Sequence, residues 1–133
     1  MTKLRIRDAA SLLGVSDDTV RRWVASGELE AGTDDAGRQV VDGADLAALS
    51  VKLAPPTPDP TGSTTSARNR LVGLVTGVTS DTVMSQVELQ CGPHRIVSLM
   101  STEAVRELGI EVGSLAVARV KATMVTVETP KAP

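Results

Sequence analysis

The chain has 133 residues, with 14 Lys or Arg against 16 Asp or Glu, so its formal net charge is −2. This balance excludes a protein that coats nucleic acid or a membrane surface through bulk positive charge. The length fits one domain or two small ones, and the change in patterning near Ala54 predicts two. Because small cores bury little apolar surface, we expect the chain to self-associate.

Composition removes further classes. The chain has one Trp and neither Phe nor Tyr, which excludes a barrel that stacks single-stranded bases on aromatic rings. A single cysteine, Cys91, excludes an intrachain disulfide. The N-terminus has no apolar run typical of a signal peptide, and no segment approaches 18 uninterrupted apolar residues; both features predict a cytoplasmic protein without membrane contact.

The first fifty residues predict a helix, a tight turn and a second helix. Helical spacing of apolar residues ends at Gly14, and Ser16 is a suitable N-cap for a helix that continues to Gly27. A turn-rich segment at 32–38 predicts a two-stranded wing tipped by Arg38, and 42–49 predicts a third helix. The apolar positions of the first helix are Ile6, Ala9, Ala10, Leu12 and Leu13.

In the second helix, Val20, Trp23 and Val24 share one face and are expected to pack on the first helix. The run Ile6–Ser16, followed by Thr19–Trp23, resembles the winged-helix head of the MerR and phage-excisionase group, over roughly residues 3–53. This resemblance implies that the second helix enters the major groove and that the wing contacts phosphate or the minor groove. The predicted DNA-binding residues are Ser16, Thr19, Arg21, Arg22 and Arg38.

Charge argues against strong DNA binding by one head. Residues 1–54 hold seven Lys or Arg against nine Asp or Glu, which gives −2. Phosphate contacts dominate affinity for DNA, so we expect two or more heads to bind each site.

Residues 54–65 have the composition of an extended, semi-rigid linker. After them, five runs predict strands, and 101–109 predicts a helix with a hydroxyl cap and a glycine stop. Five strands and one helix indicate a small OB-like barrel, so the fold class is α+β with domains at 1–53 and 66–129. The strand runs are 71–75, 83–89, 96–99, 116–120 and 124–127.

Two short polar motifs bracket this β-rich half, Ser66–Asn69 at its start and Lys121–Thr123 near its end. Each offers a cation, hydroxyls and backbone N–H groups without a carboxylate, which suits a fully deprotonated oxyanion. A phosphate that keeps a proton at neutral pH needs an acceptor that molybdate or tungstate does not, so we expect phosphate to be rejected.

Together with the helix segment 101–109, these motifs resemble the Mop or molbindin domain, a molybdate-binding member of the TOBE group, over 65–128. The resemblance implies a site between subunits of a dimer or hexamer, with the helix start contributed by the neighbouring subunit. It also implies molybdate or tungstate as the ligand, bound as an oxyanion without metal coordination. The predicted oxyanion-binding residues are Ser66, Arg68, Lys121, Ala122, Thr123, Ser101 and Ala104.

In this family Asn-Ser-Glu commonly follows the first hairpin turn, whereas this chain has Met84-Ser85-Gln86. A second class of oxyanion site around Ser85 therefore stays open. Cys91 and His94 flank Gly-Pro, which favours a hairpin turn over a metal site, since structural zinc normally takes four ligands.

The favoured function is an oxyanion-responsive transcriptional regulator of molybdenum homeostasis that binds double-stranded DNA. The alternatives are an intracellular oxyanion store with a non-regulatory head and an excisionase-like architectural protein that bends DNA. We expect no enzyme, because no nucleophile–base pair and no glycine-rich phosphate loop is present.

Overall fold

The structure, a computed structural model, describes residues 2–131. The chain divides into two units, Met1–Pro56 and Thr57–Pro133, each with its own apolar core. The division falls inside the segment 54–65 predicted as a linker. Within residues 2–131, none of the helices combines the length and apolar character needed to cross a bilayer.

The first unit contains the predicted pair of helices. Gly14 ends the first helix in a left-handed conformation (φ 66°), and the Ser16 hydroxyl caps the second by accepting the Thr19 N–H at 3.2 Å. A third helix follows, capped by the Asp42 carboxylate. The elements are β1 (Lys3–Arg5), α1 (Ile6–Leu13), α2 (Asp17–Ala25), β2 (Ala31–Thr33), β3 (Gln39–Asp42) and α3 (Gly43–Leu53).

Packing in the first unit follows the predicted helix faces with one correction. Val20 is fully buried, and Trp23 and Val24 pack partly buried against the same core. Leu12, counted above with the apolar face of α1, is 68% exposed, because spacing of three and four residues places positions 6, 9, 10 and 13 on one side of a helix. The strand β1 was not predicted; it pairs with β3 and makes the hairpin a sheet of order β1-β3-β2.

The second unit is a curled antiparallel half-barrel of sheet order β6-β5-β4-β7. Its curl is evident because β6 and β7, at opposite ends of that order, line one cavity of about 300 Å³. Ser101 caps the predicted helix, and Gly109 ends it with φ 65°. The elements are β4 (Asn69–Ser80), β5 (Met84–Cys91), β6 (His94–Ser101), α4 (Thr102–Leu108), β7 (Leu115–Val120) and a 3-10 turn at Ala122–Met124.

The predicted fifth strand at 124–127 is absent from residues 2–131. After β7 the Met124 N–H donates to the Lys121 carbonyl at 2.9 Å, which closes the 3-10 turn. This turn carries the chain away from β4, whose ladder with β7 ends at Asn69 and Val120. Val127 is 87% exposed, and among residues 2–131 the apolar alternation that predicted a strand has no strand partner.

Gly73 lies on β4 where β5 leaves no room for a side chain. A Cβ there would overlap the Gln90 carbonyl oxygen and lie 2.7 Å from Cys91 Sγ. We expect Gly73→Ala to lower the free energy of unfolding of the second unit by about 1–3 kcal/mol, the usual cost of overpacking. Urea unfolding followed by far-UV circular dichroism measures this loss.

The matched control for that substitution is Gly77→Ala, where the added Cβ would lie an ordinary 3.7 Å from the Glu88 carboxylate. Trp23, the single Trp, lies in the first unit, so its fluorescence should show an unchanged transition in both variants. Equal stability of the Gly73 and Gly77 variants would contradict the close approach.

Candidate functional site

The opening and closing motifs of the second unit meet at one end of the half-barrel. Asn69 pairs with Val120 in the β4–β7 ladder, and the Asn69 side-chain amide donates to the Val120 carbonyl at 3.0 Å. Arg68 directly precedes Asn69 and Lys121 directly follows Val120, so the predicted cations flank the paired ends of β4 and β7. Both are exposed, and among the described residues neither forms an ion pair.

The closing motif also offers backbone donors. Lys121 precedes the 3-10 turn Ala122–Met124, and within residues 2–131 no side chain caps the start of that turn. The first N–H groups of a helical turn have no partner inside the turn. The predicted donors Ala122 and Thr123 occupy these first positions, and both are exposed.

Ser101 and Ala104 lie elsewhere in the same chain. Ser101 pairs with Met84, beside the Ser80–Ser85 pair that closes the far end of β4. Since β4 has 12 residues and a strand rises about 3.3 Å per residue, Ser101 and Arg68 stand at opposite ends of a long strand. A site that uses both residues therefore requires two copies of the chain.

The helix cap limits what the α4 start can donate. The Ala104 N–H already donates to Ser101 Oγ at 3.1 Å. The Ser101 hydroxyl hydrogen remains available as a donor, because an oxygen that accepts the cap bond can still donate its own O–H. Of these two predicted residues, Ser101 is the one that offers an additional donor.

Ser85 is enclosed by other hydroxyls. It is 1% exposed, and its Oγ lies 2.7 Å from Ser80 Oγ and 2.9 Å from Thr102 Oγ1. Thr102 in turn donates to the Asp81 carbonyl at 2.9 Å. This series of hydrogen bonds joins β4, β5 and α4, which gives Ser85 a structural role within a single protomer.

The predicted DNA-binding side chains of α2 differ in how they are engaged. Arg21 forms an exposed ion pair with Asp18 at 3.3 Å, whereas Arg22, among the residues that the structure describes, donates only to the uncharged Thr19 hydroxyl at 3.1 Å. Ser16 and Thr19 are bonded to each other through the helix cap. Arg22 therefore keeps its full charge at the surface of the helix.

A basic surface cleft of about 260 Å³ extends the predicted DNA interface. Arg21 and Arg38 line it together with Arg5 and Arg7, which the sequence analysis missed. Arg5 is brought there by β1, since it pairs with Val40 beside the hairpin. A pattern search could not find it, because a three-residue strand carries no periodic signal.

Arg38 is held in place by the turn before it. The Asp34 carboxylate accepts the Arg38 N–H at 2.9 Å and pairs with Arg38 Nε at 3.1 Å. The Arg38 N–H, the Ala36 N–H and the Arg38 charge together hold the pKa of Asp34 below its usual value. Arg38 is thus positioned at the cleft, although its charge is partly balanced.

Two further cations lie beside the opening and closing motifs. Arg70 and Arg119 face each other directly in the β4–β7 ladder, and the sequence analysis assigned neither a role. Arg119 forms an ion pair with Asp59 at 3.1 Å, and Arg70 donates to the Thr57 carbonyl at 2.9 Å. Part of the predicted linker therefore contacts the half-barrel.

Cys91 and His94 form the predicted hairpin turn. They pair across it, and Gly92 adopts φ 59°. Among residues 2–131, no group of three or more His, Cys, Asp or Glu side chains is arranged to hold a metal ion.

Comparison with known proteins finds relatives of both halves. A TOBE domain model matches residues 65–127, and a helix-turn-helix domain model matches residues 4–49. Molybdenum-pterin-binding protein 2 of Clostridium pasteurianum is 40% identical over 63 residues, which are 47% of this chain and 93% of that protein.

Two solved structures are also similar. MopII from Clostridium pasteurianum is 37% identical and covers 50% of this chain and 100% of its own, with a TM-score of 0.47. The cytoplasmic molybdate-binding protein ModG, solved with molybdate bound, is 38% identical over 48% of this chain and 46% of its own, with a TM-score of 0.45.

Proposed function

The chain belongs, through residues 65–127, to the TOBE-domain family of molybdenum-pterin-binding proteins, and we propose that it is an oxyanion-responsive regulator. Its second unit binds molybdate or tungstate, and its helix-turn-helix unit binds double-stranded DNA. The observation that carries the proposal is the position of Arg68 and Lys121 next to the paired strand ends Asn69 and Val120, in a chain that also matches a helix-turn-helix model.

The chemistry of the site supports a dianion. Arg68 and Lys121 supply two cations, and Ser66, Ala122 and Thr123 add hydroxyl or N–H donors around them. Hydrogen bonds from charged donors to an anion are about twice as strong as neutral ones. A site of cations and N–H donors with no carboxylate favours molybdate and tungstate over a phosphate that keeps a proton.

The proposed site requires self-association. Ser101 can join Arg68 and Lys121 only from a neighbouring chain. Within one copy, Ser101 lies near one end of β4, and Arg68 and Lys121 lie at the other. The half-barrel also exposes apolar side chains that a homo-oligomer would bury, among them Leu74, Leu99 and Leu115 at 54%, 70% and 61% exposure. Sedimentation velocity should therefore give a dimer or a hexamer.

Regulation follows from linkage between the two ligands. An oxyanion that binds one assembled form better than another favours that form by the difference in binding free energy. Assembly through the second unit sets how many DNA-binding heads act together, and several heads compensate for the low DNA affinity expected of one head with a net charge of −2.

The test is calorimetric titration with molybdate, tungstate, sulfate and phosphate. A second measurement follows binding to duplex DNA taken from the region upstream of the gene that encodes this chain. We expect saturable uptake of molybdate and tungstate, no uptake of phosphate, and DNA binding that changes when molybdate is added. Failure to bind molybdate would overturn the oxyanion assignment. DNA binding that stays the same when molybdate is added would overturn the proposed regulatory role.

An intracellular oxyanion store is the second candidate. The ion pairs of Arg21 and Arg38 favour it, because they reduce the charge that the head presents to phosphate. A store predicts saturable molybdate uptake without DNA binding at low salt. The assignment of the head to the MerR and excisionase group stays a prediction, and DNA bending that is independent of molybdate would instead favour the architectural alternative.

A further inference from the structure

Residues 57–63, here called the strap, dock on the outer face of the half-barrel. The Arg119 guanidinium pairs with the Asp59 carboxylate at 3.1 Å and donates to the Thr61 hydroxyl at 2.8 Å. Arg70 donates to the Thr57 carbonyl at 2.9 Å. These contacts join positions 13 to 60 residues apart in sequence, so the strap belongs to the tertiary structure of the second unit.

The strap places a carboxylate beside two like charges that face each other in the sheet. Arg70 and Arg119 stand directly opposite each other in the ladder, and like charges in that position destabilise a strand pair. The Asp59 side chain is 28% exposed and that of Arg119 is 21% exposed, so solvent screens this pair less than an ordinary surface pair. Bonds from the Thr61 hydroxyl, the Thr61 N–H and Arg119 hold the pKa of Asp59 far below its usual value, which keeps the carboxylate charged.

The same cations adjoin the proposed oxyanion site. Leu71 and Ala118 pack into the core, and side chains alternate along a strand, so Arg70 and Arg119 project to the outer face. Arg68 lies two residues from Arg70, and Lys121 lies two residues from Arg119, in the same two segments of the chain. Arg119 and Lys121 are therefore about 7 Å apart along the backbone, one strand repeat, so the Asp59 carboxylate is held by the cation next to the position proposed for a dianion.

We propose that the strap is a built-in counter-anion that competes electrostatically with the oxyanion for this face. Repulsion from the Asp59 carboxylate weakens oxyanion binding while the strap is closed, and a bound dianion loosens the strap. The two effects are equal by linkage. This inference rests on the proposed function, since the ligand is the same oxyanion at the same site.

Loosening the strap changes the reach of the DNA-binding head. With the strap docked, only residues 54–56 separate the end of α3 from the first strap contact, which is about 10 Å of extended chain. With the strap released, residues 54–65 become free and span about 35 Å. Oxyanion binding would thus lengthen the tether on which each head searches for DNA.

The first arm of the test measures molybdate affinity by calorimetry for the full chain, Asp59→Asn and Glu88→Gln. Glu88 is the matched control, because it pairs with Arg95 away from the strap. We expect Asp59→Asn to bind molybdate about three- to tenfold more tightly, as removal of one like charge near a dianion predicts, and Glu88→Gln to stay within about twofold of the parent chain.

The second arm measures millisecond hydrogen exchange of the peptide 54–65 by mass spectrometry. We expect saturating molybdate to raise its exchange rate severalfold, and Arg119→Gln to do so without molybdate, while Arg95→Gln does not. A parent chain that binds molybdate with no gain in Asp59→Asn, or with unchanged exchange in the strap, would overturn the strap alone. A parent chain that binds no molybdate would overturn the proposed function and with it the competition.

Discussion

Replacing Lys121 by alanine is expected to weaken molybdate binding at least tenfold. The substitution strips a charged donor from a dianion, and a charge-assisted hydrogen bond contributes about 1.5–3 kcal/mol, of which about 1.4 kcal/mol corresponds to a tenfold change. The backbone N–H groups of Ala122 and Thr123 remain, so residual binding is expected. Calorimetric titration with molybdate measures the change directly.

Arg68→Ala should show a loss of the same size, because Arg68 lies across from Lys121 at the end of the β4–β7 ladder. Arg95→Ala is the matched control, as it removes an exposed cation of the same unit that pairs with Glu88. Affinity that is unchanged in both site variants, or equally reduced in the control, would place the oxyanion elsewhere.

Replacing Arg22 by alanine is expected to weaken DNA binding at least tenfold while molybdate uptake stays unchanged. Arg22 is exposed on α2 and, within residues 2–131, forms no ion pair and donates to the Thr19 hydroxyl, so its guanidinium is available to a base edge or a phosphate. A good base contact contributes about 1–3 kcal/mol, and the effect multiplies when several heads bind together. Fluorescence anisotropy with labelled duplex at low salt measures it.

Lys52→Ala provides the control for Arg22. Lys52 lies near the end of α3, beside Glu28 and Asp45 in a different surface cleft. Its substitution by alanine removes one positive charge from the same unit, as Arg22→Ala does. A loss of DNA binding in both variants would indicate only bulk electrostatics. Loss of molybdate uptake in Arg22→Ala would contradict separate roles for the two units.

Local signals carried most of the correct predictions. Gly14 and Ser16 marked the turn between α1 and α2, and Ser101 and Gly109 marked both ends of α4, because caps depend on a few neighbouring residues. The resemblance of the second half to the Mop group is confirmed by the TOBE match over 65–127. The oxyanion and DNA contacts of individual residues stay predictions.

Long-range pairing explains what the sequence analysis missed. The strand β1 consists of three residues and exists because it pairs with the edge of β3, whereas the apolar run at 124–127 pairs with no strand in the part of the chain that the structure describes. Arg119 and Asp59 are separated by 60 positions, so their ion pair left no trace in composition or spacing.

By itself, the sequence determined two modules, the helix caps, and the residue types of the two carboxylate-free motifs proposed to bind an anion, since each depends on chemistry within a few positions. Only the tertiary structure decided that Arg68 and Lys121 flank neighbouring strand ends, that Ser101 stands at the far end of β4, and that the strap docks on Arg119. Those relations depend on strand register and on pairing between distant segments, and the free energy of such contacts depends on the three-dimensional arrangement of the whole unit.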